Sequence, residues 1–460
     1  MSDPASSSAT PPALGLPAPR RYWAVAVQLI GIIVAVLDNS IVNVALPTIA
    51  AGLDASPAEA VRLTNVYNLT LLVMLLPLAA LGERIGFRRV FGAGLVLFAF
   101  GALACALSRS IEMLTVARVV QGLASAALMS MMGGLMRHIY PPAKFGRGIG
   151  LNAMVVALSG AMGPTMSSLI LSVADWPWLF GVTIPFALVA LAGVRQLPES
   201  RRNPGRLDWF GALHSACVLV LIVLGIERLP VAPWPSVGMI ALGVVLAVWL
   251  VRRSAQQTAP LVPVDLFRFS AFSYAVSASL CLFGAQMAAF VALPFYFQAA
   301  FGRDQIAVGF LMTAWPIAGG IMAPIAGRLA DRFSAALLSG IGACGMTCGM
   351  LTLAALPADS GNGWLLFGLA LGGVGFGFFQ SPNNRAMLTA VPVMRAGAAG
   401  GVQATTRTFG QSLGIALVGI ALALGGAQGA TLAVVLSAVM SSAAVAVNMV
   451  RVRAERRAAG

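Results

Sequence analysis

Asp38 and Arg118 are charged residues set within stretches that are otherwise apolar, Trp23–Leu46 and Met113–Leu135. A carboxylate held inside a long apolar helix is costly, and where one occurs it is a functional-site hypothesis by default. Burial favours its neutral form and a nearby cation favours its ionised form, so it can be poised to gain and lose a proton. The blander alternative is a structural pair or a cap on a broken helix end. Arg118 is the natural partner. At 1.5 Å per residue, Asp38 lies ~22 Å along its helix from Trp23, and Arg118 lies ~8 Å along its own from Met113. If the two helices run in opposite directions, both residues sit at a similar depth. Gln121 stands one turn below Arg118, where its amide either extends a polar network or bonds a neighbouring helix. Asn43, further along the Asp38 helix, is the other candidate for such a network.

The elements that must position these groups are membrane-spanning helices. Of 460 residues, 59% are hydrophobic and 10% charged, with mean hydropathy +0.88. A soluble chain carries about 25% charged residues, so lipid must solvate most of this one. Lys and Arg number 29 against 15 Asp and Glu. In a soluble protein that excess would suggest nucleic acid. Here cytoplasmic loops rich in Lys and Arg account for it, and no nucleic-acid partner is expected.

A span needs about 20 mostly apolar residues. The runs that qualify are Trp23–Leu46, Leu63–Leu81, Val90–Leu107, Met113–Leu135, Gly148–Val173 and Trp178–Val194. Next come Trp209–Ile226 and Val237–Val251, in a stretch that could also hold one long span. The last are Ala271–Gln298, Ala307–Ala326, Ala335–Leu356, Trp364–Ala386, Ala398–Leu424 and Ala427–Val450, fourteen in all. With the N-terminus cytoplasmic, only Arg62, Arg109, Arg228 and Arg303 fall outside, and only Arg118 and Arg407 fall within spans. Such asymmetry predicts both termini on the cytoplasmic side. Residues 1–21 read as a polar, disordered tail without a cleavable signal.

The loop after span two, Ala79-Ala80-Leu81-Gly82-Glu83-Arg84-Ile85-Gly86, has a counterpart after span ten, Gly327-Arg328-Leu329-Ala330-Asp331-Arg332-Phe333-Ser334. Both follow the pattern small-x-Leu-small-acid-Arg in a short cytoplasmic turn. An acid at the same place in both copies opposes the basic trend of such loops, which argues for more than membrane anchoring. Repeated six-helix halves that rock about a central site are a common plan of secondary transporters. The expected organisation is a six-helix bundle over 22–195 and linkers with two inserted helices over 196–268. A second six-helix bundle follows over 269–451, then a tail over 452–460.

These residues resemble the major facilitator superfamily, and within it the fourteen-helix drug:proton antiporters. The stretch Leu37-Asp38-Asn39-Ser40-Ile41-Val42-Asn43-Val44-Ala45-Leu46-Pro47 is very like the motif that marks that subfamily. Leu81–Arg89, which includes Arg88, resembles the superfamily's loop motif, with Glu83 where Asp is usual. Arg118-Val119-Val120-Gln121-Gly122 is similar to its basic motif, and Ser159-Gly160-Ala161-Met162-Gly163-Pro164 to the antiporter motif. Ser167 and Ser168 stand where that last motif usually ends in Gly. The resemblance implies an all-α membrane protein of two six-helix bundles plus two inserted helices. It implies that Arg118 takes part in proton transfer with Asp38. It also assigns conformational switching to Gly82, Glu83, Arg84, Gly86, Arg88, Gly160, Gly163, Pro164, Asp331 and Arg332.

The function expected is proton-coupled efflux of amphipathic small molecules across the cytoplasmic inner membrane by a monomer, with no cofactor and no metal. Cys105, Cys217, Cys281, Cys344 and Cys348 lie in apolar runs and read as small buried residues, not ligands. Methionine and aromatic side chains that repack around different shapes could line a pocket, or simply pack. The candidates are Met154, Gln286, Met287, Phe290, Phe295, Tyr296, Met312 and Trp315. None of the fifteen acids lies deep in spans nine to fourteen, which disfavours dicationic substrates. A metabolite uniporter or symporter on the same fold is the alternative. An enzyme is not expected, because His138 and His214 have no matching catalytic constellation.

Overall fold

In hydrocarbon a backbone must satisfy its own amides, and each of the fourteen apolar runs is accordingly helical. The computed structural model describes residues 15–141, 145–199, 209–255, 264–330, 332–391 and 396–459. The first seven helices are α1 (Ala18–Gly52), α2 (Pro57–Ile85), α3 (Phe87–Ala106), α4 (Ile111–Ile139), α5 (Phe145–Leu171), α6 (Trp178–Gly181) and α7 (Thr183–Ala192). Then come α8 (Trp209–Arg228) and α9 (Pro233–Ala255), followed by α10 (Ser270–Phe301), α11 (Gln305–Met312) and α12 (Ala314–Leu329). The chain closes with α13 (Ala335–Ala355), α14 (Asn362–Thr389), α15 (Ala396–Leu424) and α16 (Gly429–Ala459).

Among the described residues, twelve spans are long and apolar enough to cross a membrane, one of them α11 and α12 taken together. The helix α2 adds another, bent by 47° between Leu75 and Pro77. The stretch Trp178–Ala192 is shorter and divides at Val182. Proline explains both this break and the one at Thr313. Pro185 and Pro316 lack the amide that would bond the carbonyls of Gly181 and Met312, four residues back. Thr183 and Thr313 turn their hydroxyls to Phe180 and Phe310 carbonyls at the same places. The stretch that could have held one long span holds two helices, α8 and α9. They pack where Gly225 meets Ile240 and Gly243 meets Leu221 and Ile222. The first helix begins at Ala18, so Arg20 and Arg21 belong to it and not to the polar tail.

Successive passes alternate in direction. Arg20 donates to the Gln196 carbonyl at 3.2 Å, and Ser334 to Glu455 at 2.6 Å, both at the end that carries the termini. Arg62 pairs with Glu227 at 3.6 Å, and Arg303 donates to the Ser360 carbonyl at 2.9 Å, both at the distal end. Polar caps start the helices there and elsewhere: Ser56 and Glu59 form a capping box on α2, and Asp304 caps α11.

The apolar core shows how the halves meet. One cluster runs across both, from Ile41, Leu46 and Ile49 to Leu293, Val308, Trp315 and Ile415, toward the distal end. Near the termini the core is divided. One part, with Val27, Phe91, Phe98 and Leu135, belongs to the first half. The other, with Phe272, Met387 and Ala399, belongs to the second. The halves are therefore sealed distally and separate toward the termini. Large apolar side chains such as Phe100, Val116, Phe186, Val245, Ile321 and Phe367 are exposed on the outside, as a lipid-facing surface requires. The cysteines do not all pack inside as their apolar runs suggest. Cys105 is buried and Cys281 half-buried, whereas Cys217, Cys344 and Cys348 are exposed, because an apolar run in a membrane helix supplies the outer face as well as the core.

Candidate functional site

Helix periodicity puts Arg118 and Gln121, three residues apart on α4, on one face. That face meets Asp38 of α1. The Arg118 Nη1 donates to Asp38 Oδ2 at 2.6 Å and to Gln121 Oε1 at 2.8 Å. Gln121 Nε2 closes the triangle by donating to Asp38 Oδ1 at 3.0 Å. All three side chains are buried, Asp38, Arg118 and Gln121 each at 0% exposure, so water does not screen the pair. Both carboxylate oxygens are thus engaged, each by a different residue of α4.

Residues that sequence reasoning does not single out complete the shell. The Arg118 guanidinium lies over the Tyr67 ring of α2, 4.1 Å from its centroid, with the Phe180 ring at 5.9 Å. Tyr67 is held in place by its hydroxyl, which donates to the Ala35 carbonyl at 3.1 Å and accepts from the Ser125 hydroxyl at 2.7 Å. The Cys105 thiol of α3 donates to Gln121 Oε1 at 3.2 Å. Nothing in the spacing of Tyr67 or Cys105 distinguishes them from packing residues; only the fold brings α2 and α3 against the Arg118 and Gln121 side chains that hold Asp38. Arg118 Nε and Nη2 have no hydrogen-bond partner among the described residues, so the guanidinium keeps free donors for another arrangement.

Gln121 joins the network and Asn43 does not. Asn43 accepts from Thr64 at 2.9 Å, which ties α1 to α2 further toward the distal end. Between them, Ser40 donates to the Gly160 carbonyl of α5 at 2.9 Å. A methyl group on Gly163 would overlap the Ser40 side chain, whereas one on Gly160 would meet nothing within 4 Å. Pro164 is buried on the same helix. At the position where the family motif ends in glycine, Ser168 packs instead on Gly309 of α11, and its hydroxyl donates to the Gln305 carbonyl at 3.4 Å. The small residue at this contact is on the facing helix. Gln305 also donates to the Val44 carbonyl at 2.7 Å, so one residue of the second half bonds both α1 and α5 of the first.

In the turn after α2, Gly86 has φ +105°, a conformation that glycine alone adopts without strain, and it reverses the chain into α3. Gly82 lies against Met131 and Phe87. Glu83 and Arg84 are exposed, and Arg88 pairs with Glu199 at 3.0 Å. In the second copy Arg332 is exposed, and Asp331 lies outside the described residues.

The substrate candidates divide. Phe290 and Trp315 are brought together edge to face, 5.5 Å between centroids. Gln286 is partly buried, its carbonyl oxygen without a partner among the described residues. Tyr296 is taken up by packing on Phe301 and by a 2.8 Å bond to the Leu353 carbonyl. Met154 is exposed on α5, apart from the aromatic pair.

Comparison with known proteins follows the same lines. Residues 29–415 and 275–459 match the model of the Major Facilitator Superfamily. The chain is 41% identical to the uncharacterized transporter YebQ of Escherichia coli (strain K12), over 96% of this chain and 98% of that one. It is 30% identical to a tetracenomycin C resistance and export protein of Streptomyces glaucescens, covering 92% of this chain and 79% of the relative. It is 29% identical to the riboflavin transporter RibZ of Clostridioides difficile (strain 630), covering 86% and 87%. Among solved structures, a POT family transporter in complex with a thioalcohol conjugated peptide superposes with a TM-score of 0.73 at 15% identity, over 95% of this chain and 96% of that one. Fold, family match and curated relatives agree, and the chain is a multi-pass membrane transporter that belongs to the Major Facilitator Superfamily.

Proposed function

We propose that this transporter exports amphipathic small molecules from the cytoplasm in exchange for protons, as a fourteen-helix drug:proton antiporter. The observation that carries the reading is the fully buried triangle of Asp38, Arg118 and Gln121. A carboxylate held by two donors in a water-excluded site has two states with very different bonding. Ionised, it binds Arg118 and Gln121. Protonated, it loses most of its hold on the guanidinium, and Arg118 turns its free donors elsewhere. That change occurs on α1, two residues from the Ser40–Gly160 contact and six from the Val44–Gln305 bond that helps seal the distal end.

Protonation from outside therefore loosens the element that closes the outer side, and the drug leaves there. After the bundles rock back, the proton leaves to the cytoplasm. Bundles over 22–195 and 269–451 rock about the site, with the termini cytoplasmic and the chain acting as a monomer in the cytoplasmic membrane. The turn residues Gly82, Glu83, Arg84, Gly86, Arg88, Asp331 and Arg332 brace the cytoplasmic ends. Gln286 and the Phe290–Trp315 pair line the path. Named relatives support a small-molecule cargo: a tetracenomycin C exporter, and multidrug resistance proteins of Mycobacterium tuberculosis at 30% identity.

The riboflavin transporter among the relatives favours a second reading, a metabolite carrier on the same fold. Reconstitution in vesicles separates them. Export of ethidium that requires a proton gradient, with matching movement of lumenal pH, and its loss in Asp38→Asn, are the expected results. Dye movement without a gradient, or an unaffected variant, would sink the antiporter mechanism.

A further inference from the structure

The second half of the protein carries a polar stripe that the Asp38 site does not use. Gln403, Arg407 and Gln411 follow one another at four-residue spacing on α15, so they share one helix face over ~12 Å. Arg407 is eleven residues from the start of α15, ~16 Å along the axis, too deep for the side chain to be simply anchoring a helix end. The same face continues to Gly410 and Gly414, which lie against Leu280 and Gly284 of α10. Around the helix, Gly419 lies beside Val61 of α2. The stripe therefore points between the halves and not toward lipid.

Its side chains are reachable. Arg407 is exposed to solvent although it lies deep among protein atoms, and Gln403 and Gln411 are partly exposed. That combination is what the wall of a water-filled opening produces, and it matches a core that is sealed distally and divided toward the termini. No hydrogen bond or ion pair engages these three side chains among the described residues. Helices α10 to α15 contain no Asp or Glu. Asp38 is fully committed to Arg118 and Gln121, and Glu227 to Arg62 and Asn65. Arg407 is thus a cation at membrane depth whose counter-charge the described residues do not supply. Such a charge is expensive and faces a water-filled path when it is retained.

We propose that Gln403, Arg407 and Gln411 form a binding element for the anionic group of the transported molecule, so that amphipathic anions bearing a carboxylate, sulfonate or phenolate are preferred cargo. The planar guanidinium offers paired donors that match a carboxylate or sulfonate, and the two amides flank it with further donors. This deepens the transport reading above and rests on it for the word cargo, while the anion site itself stands on geometry alone.

Binding and transport are measured separately for that reason. Purified full-length protein in detergent is titrated with fluorescein, an anionic dye, and with Nile red, a neutral one, by fluorescence polarisation. Arg407→Gln is expected to weaken fluorescein about tenfold and leave Nile red unchanged, which also establishes that the variant is folded. Arg407→Lys, which keeps the charge without the paired donors, should restore part of the loss, and Gln403→Ala or Gln411→Ala should cost a few-fold each. Fluorescein that fails to bind the wild type, or that binds Arg407→Gln within twofold of it, overturns the proposal. Should the binding pattern hold while vesicles show no gradient-driven export of either dye, the anion site stands and the antiporter reading fails. Gradient-driven export of Nile red, with equal fluorescein affinity in wild type and Arg407→Gln, means the reverse: the anion site falls and the antiporter reading stands.

Discussion

Ser40 of α1 donates to the carbonyl of Gly160 on α5 at 2.9 Å, and Gly163, less than one turn further on, lies against the same serine side chain. The two glycines of one motif therefore have different work. Gly163 permits the helices to touch, while the Cα face of Gly160 looks into open space. Gly163→Ala should reduce vesicle transport at least tenfold, because the methyl group must push α5 from α1 next to Asp38. Gly160→Ala should stay within about twofold of wild type, since the loss of backbone freedom favours the helix and no neighbour objects. Equal effects of the two substitutions would remove the assigned distinction.

Arg118 has no second acid within bonding distance among the described residues, so the ion pair is sensitive to which partner is removed. Breaking a buried pair from one side costs on the order of 3–5 kcal/mol, because the remaining charge is stranded. Asp38→Ala should lower the thermal unfolding temperature in detergent by several degrees. Asp38→Asn keeps an acceptor oxygen for Arg118 and should cost less. The double variant Asp38→Ala with Arg118→Met should recover much of the loss, and additive effects of the two single changes would contradict the coupling. Both Asp38 variants should lose gradient-driven transport whatever their stability.

Gln305 is a residue of the second half that hydrogen-bonds both α1 and α5 at the distal seal. Gln305→Ala removes the amide that reaches Val44 and should shift the population toward a distally open state. In a cysteine-free background, Ser168→Cys is fully shielded in the present conformation and should react slowly with a membrane-impermeant maleimide. Adding Gln305→Ala should raise that rate several-fold. An unchanged rate would mean that the seal rests on apolar packing and not on this bond.

Gly86 reverses the chain between α2 and α3 at φ +105° and ψ 133°, a region closed to residues with a Cβ. Gly86→Ala should destabilise the protein by about 1–3 kcal/mol, read as a lower unfolding temperature. Glu83→Gln in the same turn is exposed and should leave stability unchanged while slowing turnover, if its role is conformational. A stability loss from Glu83→Gln equal to that of Gly86→Ala would assign this acid to packing.

The membrane character and the helical passes of this protein follow from its sequence alone, because lipid imposes one strict demand: about 20 apolar residues per pass and every amide satisfied within the helix. Asp38 and Arg118 are legible for the same reason, since a charge in an apolar run stands out without any knowledge of its neighbours. Gln121 is visible through its three-residue spacing from Arg118. The roles of Tyr67, Cys105 and Phe180 are not, because an aromatic or a thiol in an apolar helix looks the same whether it packs on leucine or on a guanidinium. Proximity along the chain suggests Asn43 for the network, yet rotation about the helix turns it to Thr64. Arg407 sits eleven residues into its helix, and hydropathy does not distinguish a side chain reaching for the interface from one facing an internal opening. Periodicity assigns a residue to a face, but what that face meets depends on how the helices cross, and only the tertiary structure decides that.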